Sequence, residues 1–144
     1  MTVDGCRRVG LIGWPVEHSL SPVMHNAAFQ ALGLGWRYEL LSVPPGQLGA
    51  ALADLNAGDF GGANVTVPHK SAVMAYLDEI DAAARSIGAV NTISVQGNRL
   101  LGHNTDAPGF VSALCEAGLE LSGRRALLLG AGGAARAAAY ALAQ

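Results

Sequence analysis

The chain has 144 residues, a net charge of −2, and only 14% charged residues against 51% apolar ones, where an ordinary soluble domain has roughly 25% charged. That length supports one domain with a real core, and no apolar run approaches the ~20 residues of a membrane span. The opening MTVDGCRRVG has no apolar segment long enough for a secretory signal, and the lack of a basic stripe argues against nucleic-acid binding. Cys6 and Cys115 stand alone, with no C-x-x-C and no metal-ligand spacing. These features predict a reduced, cytosolic, soluble protein without a metal site.

Strands alternate with helices along the sequence. Residues 8–14, RVGLIGW, read as a buried strand. After a loop, Ser21-Pro22 reads as a helix start, with a hydroxyl at the N-cap and proline at the first helical position. That helix is expected to run to about Leu32 and to close at Gly33. A second strand is expected over 36–43, and Pro44-Pro45 opens a helix to about Gly58. GANVTVP holds a third strand, stopped by Pro68. Apolar residues from Val73 to Ile87 predict one or two helices ending at Gly88. AVNTISV and RLLGHN flank Gln96-Gly97-Asn98, a hairpin signal that makes one strand antiparallel. A helix is expected over about 108–117, and RRALLLG at 124–130 reads as a new buried strand leading into GAGGAARAAAYALAQ. The class is therefore α/β, a mostly parallel mixed sheet with helices on both faces. Residues 1–121 form the first domain, and 122–144 look like the first strand and helix of a second one.

Five stretches carry chemistry. Gly130, Gly132 and Ala135 fit G-x-G-x-x-A between a strand and a helix, so Gly130, Ala131, Gly132, Gly133 and Ala134 are candidates to hold a dinucleotide pyrophosphate. The alternative is an alanine-rich helix behind a glycine turn, and Arg136 is either a phosphate contact or a solvated side chain. In EHSLSPVMHN, Ser19 and Ser21 lie two apart and offer hydroxyls beside a helix N-terminus, a site for a carboxylate, unless Ser21 merely caps the helix. His18 and His25 have no third partner for a metal.

NVTVPHK raises a sharper question. Lys70 is the only lysine of the nine basic residues, and the others are arginines. Genomic bias towards arginine is the bland reading. Chemistry supplies another: arginine stays protonated in proteins, whereas a lysine can exchange its proton when its surroundings lower its pKa. Alternation puts Asn64 and Thr66 on one strand face, and Lys70 follows at the strand's end, where parallel-sheet proteins hold their ligands. His69 reads as structural or solvated. Asn91-Thr92 and Asn104-Thr105 are two Asn-Thr pairs near strand ends, and Asp106 is either a helix cap or the carboxylate partner of Lys70. A lysine beside an aspartate, ringed by Asn and Thr, suits acid–base chemistry on a polyhydroxylated substrate.

The order S-x-S-P at 19–22, N-V-T-x-P-x-K at 64–70, G-A-V-N-T at 88–92, G-x-N-T-D at 102–106 and G-A-G-G-A-x-R-A at 130–137 resembles shikimate dehydrogenase. The resemblance implies NADP-linked, reversible reduction of 3-dehydroshikimate to shikimate on the route to chorismate and the aromatic amino acids, with NAD left open. It implies carboxylate binding by Ser19 and Ser21, and ring-hydroxyl contacts from Thr66, Asn91, Asn64 and Asp106. It makes Lys70 and Asp106 the catalytic pair, in a cytoplasmic enzyme for which a homodimer stays open. It also implies that 122–144 open a Rossmann-type domain that is incomplete, as in a truncated chain. Ala107-Pro108 stand where the family usually has glycine, which leaves the backbone beside Asp106 unsettled. A non-catalytic shikimate-class binding module, and a quinate or aminoshikimate dehydrogenase, are the alternatives.

Overall fold

A computed structural model describes residues 7–144, so Cys6 and the first residues of the N-terminal stretch lie outside the described residues. Six strands form one sheet: β1 (Arg8–Gly13), β2 (Arg37–Ser42), β3 (Phe60–Val65), β4 (Glu79–Ile80), β5 (Thr92–Gln96) and β6 (Arg99–His103). Their order is β2-β1-β3-β5-β6-β4. β1 runs parallel to β2 and β3, and β4 parallel to β6, while β5 is antiparallel to both its neighbours. The expected single antiparallel member is thus the first arm of the hairpin, turned at Gly97 with φ +61°.

Helices cover both faces. α1 (Ser21–Ala31) lies on one side, where Phe29 packs with Leu11, Val16 and Tyr38. α2 (Leu48–Ala57) lies on the other and buries Leu48, Leu52 and Leu55 at helical spacing. These three join Ile12, Val65, Val73, Val90 and Ile93 in the main core, and each such side chain contributes roughly 1.5–3 kcal/mol on burial. α3 (Ala82–Ile87) is capped by Asp81, whose Oδ1 accepts from the Ala84 N–H at 2.6 Å, and ends at Gly88 in the left-handed region. α4 (Asp106–Glu116) and α5 (Gly133–Leu142) pack with α3 around Ile87, Ala89, Ala107 and Ala137. Glycine has a steric role at Gly62, where a Cβ would run into the Ile93 carbonyl oxygen of the adjoining strand.

Three local expectations are corrected. Residues 124–130 form no strand: none of the described strands runs alongside to receive their N–H and C=O groups, and Leu127 and Leu129 are 85% and 90% exposed. The apolar spacing after Val73 is a 3₁₀ turn (Ala72–Tyr76) followed by the two-residue β4, and only then a helix. Ser21 is the first helical residue and not the cap: Leu20 occupies the cap position, and its side chain makes no capping hydrogen bond.

Candidate functional site

The loop after β1 carries the two serines. The Ser19 hydroxyl donates to Ser21 Oγ at 3.1 Å and accepts from the Ser21 N–H at 3.2 Å. Ser21 is therefore free of cap duty and stands at the positive end of α1. Glu17 fixes the loop: its carboxylate accepts from the Val16 N–H at 3.0 Å and from the Ser42 hydroxyl at 2.7 Å. Its pKa lies below the usual value because its own backbone N–H and the Ser42 hydroxyl favour the anion. Both serines line a cavity of about 250 Å³ with His18, Thr66, Leu11 and Val16. Thr66 reaches it from just beyond β3, where its N–H donates to the Ile12 carbonyl at 2.8 Å.

Four residues further on, the turn after β3 delivers Lys70. His69 anchors that turn: it is 2% exposed, and its Nε2 lies 2.7 Å from the Val43 carbonyl oxygen. His69 is therefore structural. Lys70 Nζ donates to Asp106 Oδ2 at 2.6 Å, with 19% and 29% of the two side chains exposed. Asn91 holds the carboxylate from the other side, its Nδ2 donating to Asp106 Oδ1 at 2.8 Å and to Thr105 Oγ1 at 2.8 Å. The Asn91 amide oxygen in turn accepts from the Thr105 N–H at 2.8 Å and the Thr92 hydroxyl at 3.0 Å. Asp106 is the first residue of α4 and does not cap it; Asn104 Oδ1 accepts from the Asp106 and Ala107 N–H groups instead. Ala107 and Pro108 both sit in the first turn of α4, where proline removes no helical hydrogen bond. An ammonium with one N–H committed to Asp106 keeps two donors for a ligand oxygen, and the fixed carboxylate holds them in place.

Asn64, on β3, faces this network. Its Nδ2 donates to Thr92 Oγ1 at 3.2 Å and towards the Asn91 carbonyl at 3.4 Å. Its amide oxygen accepts from the Tyr38 hydroxyl at 2.8 Å. Sequence reasoning passed over Tyr38, because an aromatic residue in a strand reads as core. Burial pushes its phenol up to about 12, against an opposing pull from the Ser21 hydroxyl.

The glycine loop lies beside the lysine. Gly130 has φ +125°, Gly132 is the extended cap of α5, and α5 starts at Gly133. A Cβ at Gly132 would meet nothing within 4 Å, and one at Gly133 would lie 3.3 Å from Lys70 Cδ. Arg136 is exposed to solvent but is held by two hydrogen bonds. Its Nη2 donates to the Ser71 hydroxyl at 2.6 Å and to the Gly88 carbonyl at 3.1 Å, tying α5 to the segment after Lys70. The structure thus brings Lys70, Asp106, Asn91 and Asn64 into one hydrogen-bonded group, gathers Ser19, Ser21 and Thr66 round a cavity, and sets Gly130–Ala134 at the start of α5. The largest cavity described, about 850 Å³, lies elsewhere, between α4 and the end of α5, and Arg124 is the only charged residue on its wall. Volume and chemistry part company here, and the ionisable pair marks the candidate site.

The fold and this constellation define an α/β domain that gathers polar and ionisable side chains at the ends of its parallel strands, where proteins of this class hold their ligands. Residues 11–93 match the model of the shikimate dehydrogenase substrate binding domain, and the chain belongs to that family. It is 58% identical over 135 residues to a shikimate dehydrogenase (NADP(+)) of Moorella thermoacetica, covering 94% of this chain and 46% of that protein. A crystal structure of shikimate 5-dehydrogenase from Thermus thermophilus in complex with shikimate superposes with a TM-score of 0.91 at 47% identity, over 95% of this chain and 52% of that one. The same protein in complex with NADP(H) and shikimate gives 0.90, with the same identity and the same shares of each chain. The chain spans about half the length of the curated relatives it matches. No helix among the described residues is long and apolar enough to cross a membrane.

Proposed function

We propose that the protein carrying this chain catalyses the reversible, NADP-linked reduction of 3-dehydroshikimate to shikimate, in the cytoplasm, on the route to chorismate and the aromatic amino acids. Residues 1–121 hold the substrate and 122–144 begin the dinucleotide-binding part. The observation that carries the reading is the 2.6 Å contact between Lys70 and Asp106, with Asn91 bracing the carboxylate, in a chain of this family.

Ser19 and Ser21 donate to the substrate carboxylate, helped by the positive end of α1. Thr66, Asn64 and Asn91 meet the ring hydroxyls. Lys70 gives a proton to the reacting oxygen during reduction and takes it back during oxidation, and Asp106 keeps the ammonium aimed while accepting from a substrate hydroxyl. The residues at 130–134 fit a pyrophosphate: Gly130 and Gly132 carry no Cβ to block backbone approach, and the first turn of α5 presents unpaired N–H groups. Gly130, Ala131, Gly132, Gly133 and Ala134 would hold the nicotinamide cofactor there, which when bound supplies or accepts the hydride.

Titration of the isotope-labelled chain with shikimate, followed by NMR, tests the binding half. Shifts confined to residues around Ser19, Ser21, Lys70 and Asp106, weakened by Ser19→Ala and Ser21→Ala, are expected, and no binding at millimolar shikimate overturns the reading. Reduced-cofactor absorbance with shikimate and NADP tests the chemical half in the full-length protein. Binding without turnover there marks a ligand module, and faster turnover of quinate with NAD marks the related dehydrogenase.

A further inference from the structure

Tyr38 touches neither Lys70 nor Asp106, and it is 4% exposed, too buried to meet a ligand itself. Its surroundings nevertheless fix it more tightly than packing requires. Asn26 of α1 clamps its backbone from both sides, donating from Nδ2 to the Tyr38 carbonyl at 2.9 Å and accepting the Tyr38 N–H at 2.8 Å. The His25 ring stacks on the phenol at 4.4 Å between centroids with 9° between planes. In register, Tyr38 opposes Val9, and Asn64 opposes Leu11, so the phenol crosses β1 from β2 to reach β3.

That reach has a chemical consequence. The Tyr38 hydroxyl has one proton, and the structure gives it to the Asn64 amide oxygen at 2.8 Å. With its oxygen so engaged, the Asn64 amide can turn only its NH₂ towards Thr92, Asn91 and the open end of the strands. Without the phenol either flip of the amide is available, and the oxygen is left without a partner in a half-buried position, at a desolvation cost. The clamp on Tyr38 comes from α1, the helix that begins with Ser21. One side chain therefore joins the element bearing the serines to the strand bearing Asn64.

The geometry points to Tyr38 as a positioning residue of the substrate site: its hydroxyl sets the Asn64 amide as a donor and holds that amide in register with the Ser21 end of α1. The inference rests on the reading of the site as a shikimate site, and it concerns a residue that the ligand does not touch.

The test uses the ¹⁵N-labelled chain, with shikimate as the probe. Tyr38→Phe keeps the ring and its stacking but removes the proton. It is expected to move the Asn64 side-chain amide resonances and to weaken shikimate binding about tenfold. In an Asn64→Ala background the same substitution is expected to cost much less, leaving only what the Tyr38 hydroxyl exerts on the Ser21 hydroxyl. Unchanged affinity in Tyr38→Phe, or an equal loss in the Asn64→Ala background, overturns the inference alone. Absence of shikimate binding by the unsubstituted chain overturns the functional reading and the inference with it. The unsubstituted chain also tests the contact without any variant: a slowly exchanging Tyr38 hydroxyl proton with a cross-peak to the Asn64 amide is expected, and a freely exchanging one overturns the hydrogen bond.

Discussion

Gly133 sits against the aliphatic stem of Lys70, close enough that a Cβ on the glycine would lie 3.3 Å from Lys70 Cδ and 3.3 Å from Ala89 Cβ. One turn later Arg136 reaches Ser71, the neighbour of Lys70 in sequence. The start of α5 is therefore seated on the turn that bears the ammonium. A dinucleotide held at that start would be brought to the lysine by the same contacts.

The seat makes a prediction about Arg136. Arg136→Ala removes two hydrogen bonds that bridge 48 and 65 residues of sequence. It is expected to lower stability by about 1 kcal/mol and to raise amide exchange in α5 more than in the main core. Denaturant melts and hydrogen exchange followed by NMR measure both. Uniform exchange across the chain would mean that Arg136 is only a surface contact.

A second prediction concerns the proton. In the full-length protein, Lys70→Ala and Lys70→Arg are both expected to lower kcat by about a hundredfold or more, with little change in KM. Arginine keeps the charge beside Asp106 but does not release a proton at neutral pH. Steady-state kinetics on the two variants decide it. A Lys70→Arg enzyme with near-normal kcat would reduce Lys70 to an electrostatic anchor.

Much of this arrangement was legible in the sequence, for reasons that differ from residue to residue. The hairpin at Gly97 was readable because a turn with positive φ demands a residue such as glycine. α2 was readable from its punctuation, Pro44-Pro45 ahead of it and Gly58 at its end. β4 was not, since two residues show no alternation; its position is set by distant contacts, the Asp78 N–H to the Leu100 carbonyl at 2.9 Å and the Leu100 N–H to Asp78 Oδ2 at 2.7 Å. The run at 124–130 has the composition of a buried strand, but composition supplies no neighbouring strand to pair with. Among site residues, Lys70 stood out by residue type alone. Tyr38 did not, because its meaning lies in a contact 26 residues away across β1.

The core gives a third prediction. Leu55 is 1% exposed and packs in the main cluster with Leu52, Val65 and Ile93. Leu55→Ala leaves a cavity beneath α2 and is expected to cost about 3 kcal/mol. The urea midpoint should fall with the slope unchanged. A loss under about 1 kcal/mol would mean that α2 settles into the space.

The last prediction is the alkaline limb of stability. The Tyr38 phenol titrates at about 12 in the folded chain against an ordinary 10.0, because burial disfavours the phenolate. The unfolded chain therefore gives up this proton first as pH rises. Below the unfolded value both states hold the proton, and the contribution is fully present. Between the two values the unfolded state binds fewer protons than the folded one, so unfolding becomes progressively easier, and the contribution is gone above the folded value. Denaturant melts of the chain across that window should show a decline that is shallower in Tyr38→Phe, which has no proton to lose. Comparison with the variant isolates Tyr38, because every other ionisable group is common to both proteins. Parallel declines in the two would mean that the Tyr38 phenol titrates in the folded chain as it does in the unfolded one.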